Sequence, residues 1–96
     1  MTFTVIFSKS FLKEMRQIAE YMQQQKLNGE IFFDGLYAKI DLLSNNPGLG
    51  HYPEKFPRFK NRGYRKLTYE KHNIFYTVRG NKIILMRLRH SAQKTV

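Results

Sequence analysis

The chain has no cysteine and no tryptophan, three prolines, and only seven acidic residues among 96. Each shortage closes off a class of function. Without cysteine there is no disulfide scaffold, no thiol nucleophile and no thiolate metal site. Seven scattered carboxylates, with no His-Glu-x-x-His motif, no ligand cluster and no paired acids, offer no donor set for a metal-dependent hydrolase. A glycine-rich phosphate loop is also missing, so no cofactor and no small-molecule substrate are expected. No apolar run approaches the roughly 20 residues that span a bilayer. The N-terminus lacks the basic, apolar and small-residue order of a secretion signal. No membrane partner is expected, and a cytoplasmic location is the default.

What remains is cationic and aromatic. Seventeen Lys and Arg give a net charge of +10. Such a density destabilises a compact chain by self-repulsion and fits a surface made for a polyanion or an acidic polypeptide. Eight Phe and six Tyr supply the apolar mass for one core. A chain of this length holds one such core, so residues 1–96 read as a single domain.

Phe3, Val5 and Phe7 alternate with Thr4 and Ile6 as a short opening strand. Ser8 is placed to cap a helix in which Phe11, Leu12, Met15, Ile18, Ala19 and Met22 recur at helical spacing. Asn28-Gly29 reads as its left-handed stop. A second helical pattern starts near Glu30, runs through Phe33, Leu36, Tyr37, Ile40 and Leu43, and ends at Asn45-Asn46-Pro47-Gly48. The short link makes the two helices an αα-hairpin. Residues 47–62 read as a loop. Three strand patterns follow, reversing at Tyr69-Glu70-Lys71-His72 and at the two-residue turn Gly80-Asn81. In the last strand, strict alternation puts Ile84, Met86 and Leu88 on one side and Ile83, Leu85, Arg87 and Arg89 on the other. That strand is apolar on both faces at its start and belongs in the sheet interior. The expected fold is α+β, in the order β-α-α-β-β-β. A four-stranded, mostly antiparallel curved sheet is covered on one face by the αα-hairpin.

Lys55, Arg58, Lys60, Arg62, Arg65, Lys66 and Lys71 fall close together, interleaved with Phe56, Phe59, Tyr64 and Tyr69. Cations for phosphates and aromatic faces for unstacked bases are what single-stranded RNA recognition requires. The same aromatics would equally serve to anchor a solvated loop to the core. Alternation places Arg65 on the face of Leu67 and Tyr69, and Arg87 with Arg89. His51 and His72 read as ordinary loop and strand-end residues. His90 closes the last strand beside Arg87, Arg89 and Lys94, where positive neighbours favour the neutral ring that a general base needs.

The ordered set of motifs resembles the RelE/ParE superfamily of type II toxin–antitoxin toxins over roughly residues 3–94. Phe7-Ser8 before a helix carrying Ile18 and Tyr21 is similar to the family's opening. Pro47-Gly48-Leu49-Gly50 resembles its Pro-x-Leu-Gly element, Gly63-Tyr64-Arg65-Lys66 its next strand, and Ile74-Phe75-Tyr76 its middle one. Arg87-Leu88-Arg89-His90-Ser91-Ala92 resembles its closing strand. The resemblance implies a growth-arresting toxin neutralised by a cognate acidic antitoxin, whose contacts would include Tyr21 and Tyr37. The closing pattern, with no Tyr beyond Tyr76, is closer to the ParE-like branch, which binds DNA gyrase and traps it on cleaved DNA in plasmid-stabilisation systems. Its target contacts here would be Arg65, Arg87, Arg89, His90 and Lys94. Arg89 departs from the family's usual Leu. The alternative is the RelE-like branch, a metal-independent endoribonuclease acting on mRNA at the ribosome. There Arg65 and Arg87 would clamp the phosphate, His90 would be the base, and Lys60, Arg62, Arg65 and Lys66 would form the RNA track. A third reading is an inactive scaffold that binds antitoxin only.

Overall fold

The computed structural model describes residues 2–53 and 56–91. The elements are β1 (Thr4–Phe7), α1 (Lys9–Gln24), α2 (Gly29–Asn45), α3 (Pro57–Asn61), β2 (Arg65–Tyr69), β3 (His72–Arg79) and β4 (Lys82–His90). The fold is the expected α+β arrangement with one open sheet, ordered β1-β4-β3-β2. β4 pairs antiparallel with β3 and parallel with β1, which makes it interior, as its apolar start implied.

Local chemistry sets the helix ends. Ser8 caps α1, its hydroxyl accepting from the Phe11 N–H at 3.1 Å and donating to the Met86 carbonyl at 3.0 Å. The stop of α1 differs from the sequence reading. Lys26, at φ 56°, takes the left-handed position, with Leu27 N–H on the Met22 carbonyl and Lys26 N–H on that of Gln23. This is a Schellman ending. Asn28 instead caps α2, its side chain accepting from Ile31 N–H at 3.1 Å. An Asn that can serve either helix is taken by the one whose first N–H groups lack partners.

One face of the sheet carries the main core. Phe11 and Met15 from α1 and Phe32, Leu36, Ile40 and Leu43 from α2 pack on Leu67, Ile74, Tyr76, Ile83, Leu85 and Leu88. Leu12 and Tyr37, which share the helical spacing, are half exposed. The opposite face carries a smaller core that the sequence reading left as loop. Pro57 starts α3, and Phe56 and Phe59 bury themselves against Phe75 with ring centroids 5.1 and 4.5 Å away.

The largest departure lies in β4. Tyr76 faces Leu85 and Phe75 faces Arg87, so Met86 has no opposite number on β3. This extra residue is a β-bulge, and it inverts the alternation beyond it. Ile83, Leu85 and Leu88 therefore all point into the main core, while Arg87 and Arg89 turn to the other face.

Candidate functional site

Rows of paired residues across the sheet show where each predicted site residue lies, because directly opposed side chains share a face. Arg65, Tyr76 and Leu85 form one row on the helix-covered face. Lys66, Phe75 and Arg87 form the next, on the α3 face. Leu67, Ile74 and Leu88 return to the helix side, Thr68, Asn73 and Arg89 to the α3 side, and Tyr69, His72 and His90 to the helix side. Arg65 and Arg87 thus stand on opposite sides of the sheet. His90 shares the side of Arg65 but ends a row three residues beyond Arg87. The bulge at Met86 turns Arg87 away from the side of Arg65, and alternation along β4 puts His90 on the side opposite Arg87, so the three do not converge. Lys94 and Lys55 lie outside the described residues.

Arg65 belongs to a latch. Its guanidinium donates to the Gly50 carbonyl at 2.9 Å and lies over the Tyr52 ring, 4.8 Å from the centroid. The Tyr76 hydroxyl, wholly buried, accepts from Gly50 N–H and donates to the Pro47 carbonyl, each at 2.8 Å. Burial raises the Tyr76 pKa, against smaller opposing effects of its Gly50 hydrogen bond and the Arg65 charge. A Cβ on Gly50 would meet that hydroxyl at 2.7 Å and the Lys66 carbonyl at 2.8 Å, so only glycine fits. Three of the motifs singled out in the sequence are fastened here to one another: Pro47 to Gly50, Arg65, and Tyr76. They are legible in sequence because the fold needs them together.

Arg87 and Arg89 converge on one carboxylate. Glu14, from α1, accepts from Arg87 Nε and Nη2 at 3.1 and 3.0 Å and from the backbone N–H of Leu88 at 2.9 Å. Arg89 Nη1 lies 3.6 Å from the same group. β1 covers β4 only as far as Leu85, and Glu14 occupies the edge exposed beyond it. The hydrogen bond to Glu14 raises the Arg87 pKa, outweighing partial burial. Sequence reasoning gave Glu14 no role, since one acid in an amphipathic helix reads as a solvated face.

The aromatics of the basic segment are structural. Phe56 and Phe59 are buried, Tyr64 packs on Phe59 at 5.4 Å, and the Tyr69 hydroxyl donates to the Phe32 carbonyl at 2.7 Å. Phe56 and Phe59 offer no ring face to a base, and Tyr64 and Tyr69 are half-buried. Arg58, Lys60 and Arg62 are exposed on α3 and its C-terminal cap. Lys66 extends over Phe56, 5.9 Å from the centroid.

A groove of about 840 Å³ opens on the helix side, between α1, the turn into α2, and the β2–β3 hairpin. Its walls are mainly apolar: Ile18, Tyr21, Met22, Leu27, Ile31 and Phe32. Tyr21, Leu27 and Ile31 are 58%, 52% and 69% exposed, unusual for large apolar side chains gathered in one place. Lys71, His72 and His90 stand at the strand end, with Glu14 and Glu70. The rings of His72 and His90 meet edge to face at 5.2 Å, and Phe32 lies 5.2 Å from His72. Burial, followed by the neighbouring His90, lowers the His72 pKa. Tyr37 is exposed on α2 outside this groove. Among the described residues no cluster of His, Asp or Glu could hold a metal ion, and no helix is long and apolar enough to cross a membrane.

Comparison with known proteins gives one family. Residues 5–95 match the family model described as ParE toxin of type II toxin–antitoxin system, parDE. A solved structure described as the chromosomal ParDE TA system from P. aeruginosa superposes with a TM-score of 0.71. It covers 93% of this chain and 96% of that chain at 18% identity, a likeness of fold. No curated protein sequence matches.

Proposed function

The chain belongs to the ParE toxin family of type II toxin–antitoxin systems, and on that premise we propose that it arrests growth by lodging on DNA gyrase, as a binding protein held in check by a cognate antitoxin. One observation carries the choice between gyrase and mRNA. A ribonuclease reading needs Arg65, Arg87 and His90 around one phosphate, since acid–base chemistry works only within hydrogen-bond reach. The bulge at Met86 puts Arg65 and Arg87 on opposite faces of the sheet, so the two cannot clamp one phosphate. The same geometry narrows the target contacts. Arg65 serves the latch, and the tract from Arg87 to His90 at the end of β4 is left as the segment that meets gyrase.

The antitoxin reading rests on the groove. Exposed Tyr21, Leu27 and Ile31 around a concave apolar floor suit the buried face of an amphipathic helix, the commonest way one protein segment fills such a channel. Tyr21 is a contact in this reading, and Tyr37 meets the segment only if it continues along α2.

A supercoiling assay tests the target. Purified chain, gyrase, ATP and relaxed plasmid are combined, and the DNA is scored after protein removal. The expected result is linear DNA that rises with toxin dose and vanishes when antitoxin is added. Full supercoiling with no linear product overturns the gyrase reading.

A further inference from the structure

The net charge is not spread over the molecule. Residues 1–46, which hold β1 and both long helices, carry five basic and five acidic side chains and are neutral. Residues 47–96 carry twelve basic and two acidic side chains and hold the entire +10. Within that half, the run from Phe56 to Tyr69 has five cations and no carboxylate. We infer that the cationic face formed by α3 and the outer side of β2 binds the phosphate backbone of duplex DNA.

Three features separate this from other partners of a cationic surface. First, α3 is a fixed platform. Phe56 and Phe59 pin it to Phe75 through the sheet's second core, so Arg58, Lys60 and Arg62 are held on a packed element with Lys66 on the strand beside it. Cations positioned in advance lose less entropy when they meet phosphates.

Second, the rings that would stack unpaired bases are largely taken up by packing. Phe56 and Phe59 are buried and Tyr64 packs against Phe59. A single-strand site needs open ring faces, worth about 1–3 kcal/mol per base. A duplex keeps its bases stacked and offers only phosphates to such a surface, and that is what four cations without rings can bind.

Third, the surface lacks the anchors of a protein interface. The large exposed apolar side chains (Leu12, Tyr21, Leu27, Ile31, Tyr37 and Leu42 among them) lie elsewhere, and none falls between Phe56 and Tyr69. Protein hot spots are built from buried aromatic and aliphatic anchors, with charges as a rim. The helices carry the apolar, charge-balanced surface, whereas the surface of α3 and the adjoining part of β2 is cationic and carries none of these exposed apolar side chains.

The inference goes beyond the gyrase reading and is independent of it, because its test contains no gyrase. The full-length chain is titrated into a fluorescently labelled duplex of mixed sequence at several salt concentrations. Affinity should fall with salt at a log–log slope of about 3–4, the release expected for four phosphate contacts. The triple variant R58Q/K60Q/R62Q should bind more weakly, with a slope shallower by roughly 2.5. A second triple variant, K9Q/K13Q/R16Q, removes the same three charges from α1 and should keep the parental slope. Equal losses in both variants would mean that overall charge alone attracts DNA, and would overturn the assignment. Tighter binding of a single-stranded RNA of equal length, by tenfold or more, would overturn it too. Both triple variants alter exposed side chains only, and circular dichroism verifies that each is folded.

Discussion

Glu14 and Arg87 are joined by two parallel hydrogen bonds of 3.1 and 3.0 Å, across the edge where α1 passes β4. The same carboxylate receives the N–H of Leu88, a donor left open because β1 stops at Leu85. One acid thus neutralises a cation and closes a sheet edge. Replacement by alanine leaves a backbone N–H and the Arg87 guanidinium poorly partnered. Arg87 is one-third exposed, so water recovers part of the loss. E14A is expected to cost about 2 kcal/mol in urea unfolding. Because much of that cost is the stranded arginine, E14A/R87A should cost less than the sum of its parts by about 1 kcal/mol. Strict additivity would show that the pair contributes nothing to stability.

Tyr76 is expected to be the most sensitive hydroxyl in the chain. Y76F keeps the ring in the core and removes the group that serves both Gly50 N–H and the Pro47 carbonyl. Two backbone groups beneath the loop then lose their partner, at about 1–3 kcal/mol. Hydrogen exchange at Gly50 should speed up more than exchange in α1. Unchanged exchange at Gly50 would mean that the latch is held by Arg65 alone.

What could be read from the chain, and what could not, follows from how local each signal is. Ser8, Pro47 and Gly80 act on backbone within a few residues, and their caps and turns stand where the sequence put them. The order of strands and helices followed from apolar spacing, and the match over residues 5–95 agrees with the motifs quoted for the family. The bulge at Met86 has no such local mark. Nothing in Ile-Leu-Met-Arg-Leu says that one residue will go unpaired, because that depends on β3 and on Ser8 holding the Met86 carbonyl. Strict alternation therefore put Arg87, Leu88 and Arg89 on the wrong sides, and whether Arg87 shares a side with Arg65 could not be read from the sequence at all. α3 was missed for another reason. Five residues following a proline are too few to show a period, and Phe56 and Phe59 become core only when Phe75 is across from them.

His72 should make stability depend on pH. Its ring is partly buried against Phe32 and His90, Nδ1 has no hydrogen-bond partner among the described residues, and Glu14, Glu70 and Lys71 line the same groove. Burial sets its folded pKa below the ordinary 6.5, so the unfolded chain takes up the proton first as pH falls. Stability from this group is complete above 6.5, declines from there to the folded value, and is flat below it. The Tm should fall as the pH is lowered through 6.5, and that of H72F should fall less. Equal slopes in the two proteins would place the pH dependence elsewhere.

The groove gives a test that separates partner binding from folding. Ile31 is 69% exposed on the first turn of α2, so a polar replacement removes almost no core. I31D should leave the Tm within about 4 °C, since exposed sites change stability by under about 0.5 kcal/mol. In a complex whose antitoxin helix fills the groove, the same change buries a carboxylate among Leu27, Phe32 and Tyr21 and should weaken binding at least tenfold, or about 1.4 kcal/mol. Y37A, on the same helix but outside the groove, is the matched control. If calorimetry shows Y37A weakening the antitoxin more than I31D, the segment runs along the outer surface of α2 and the groove is left to another ligand.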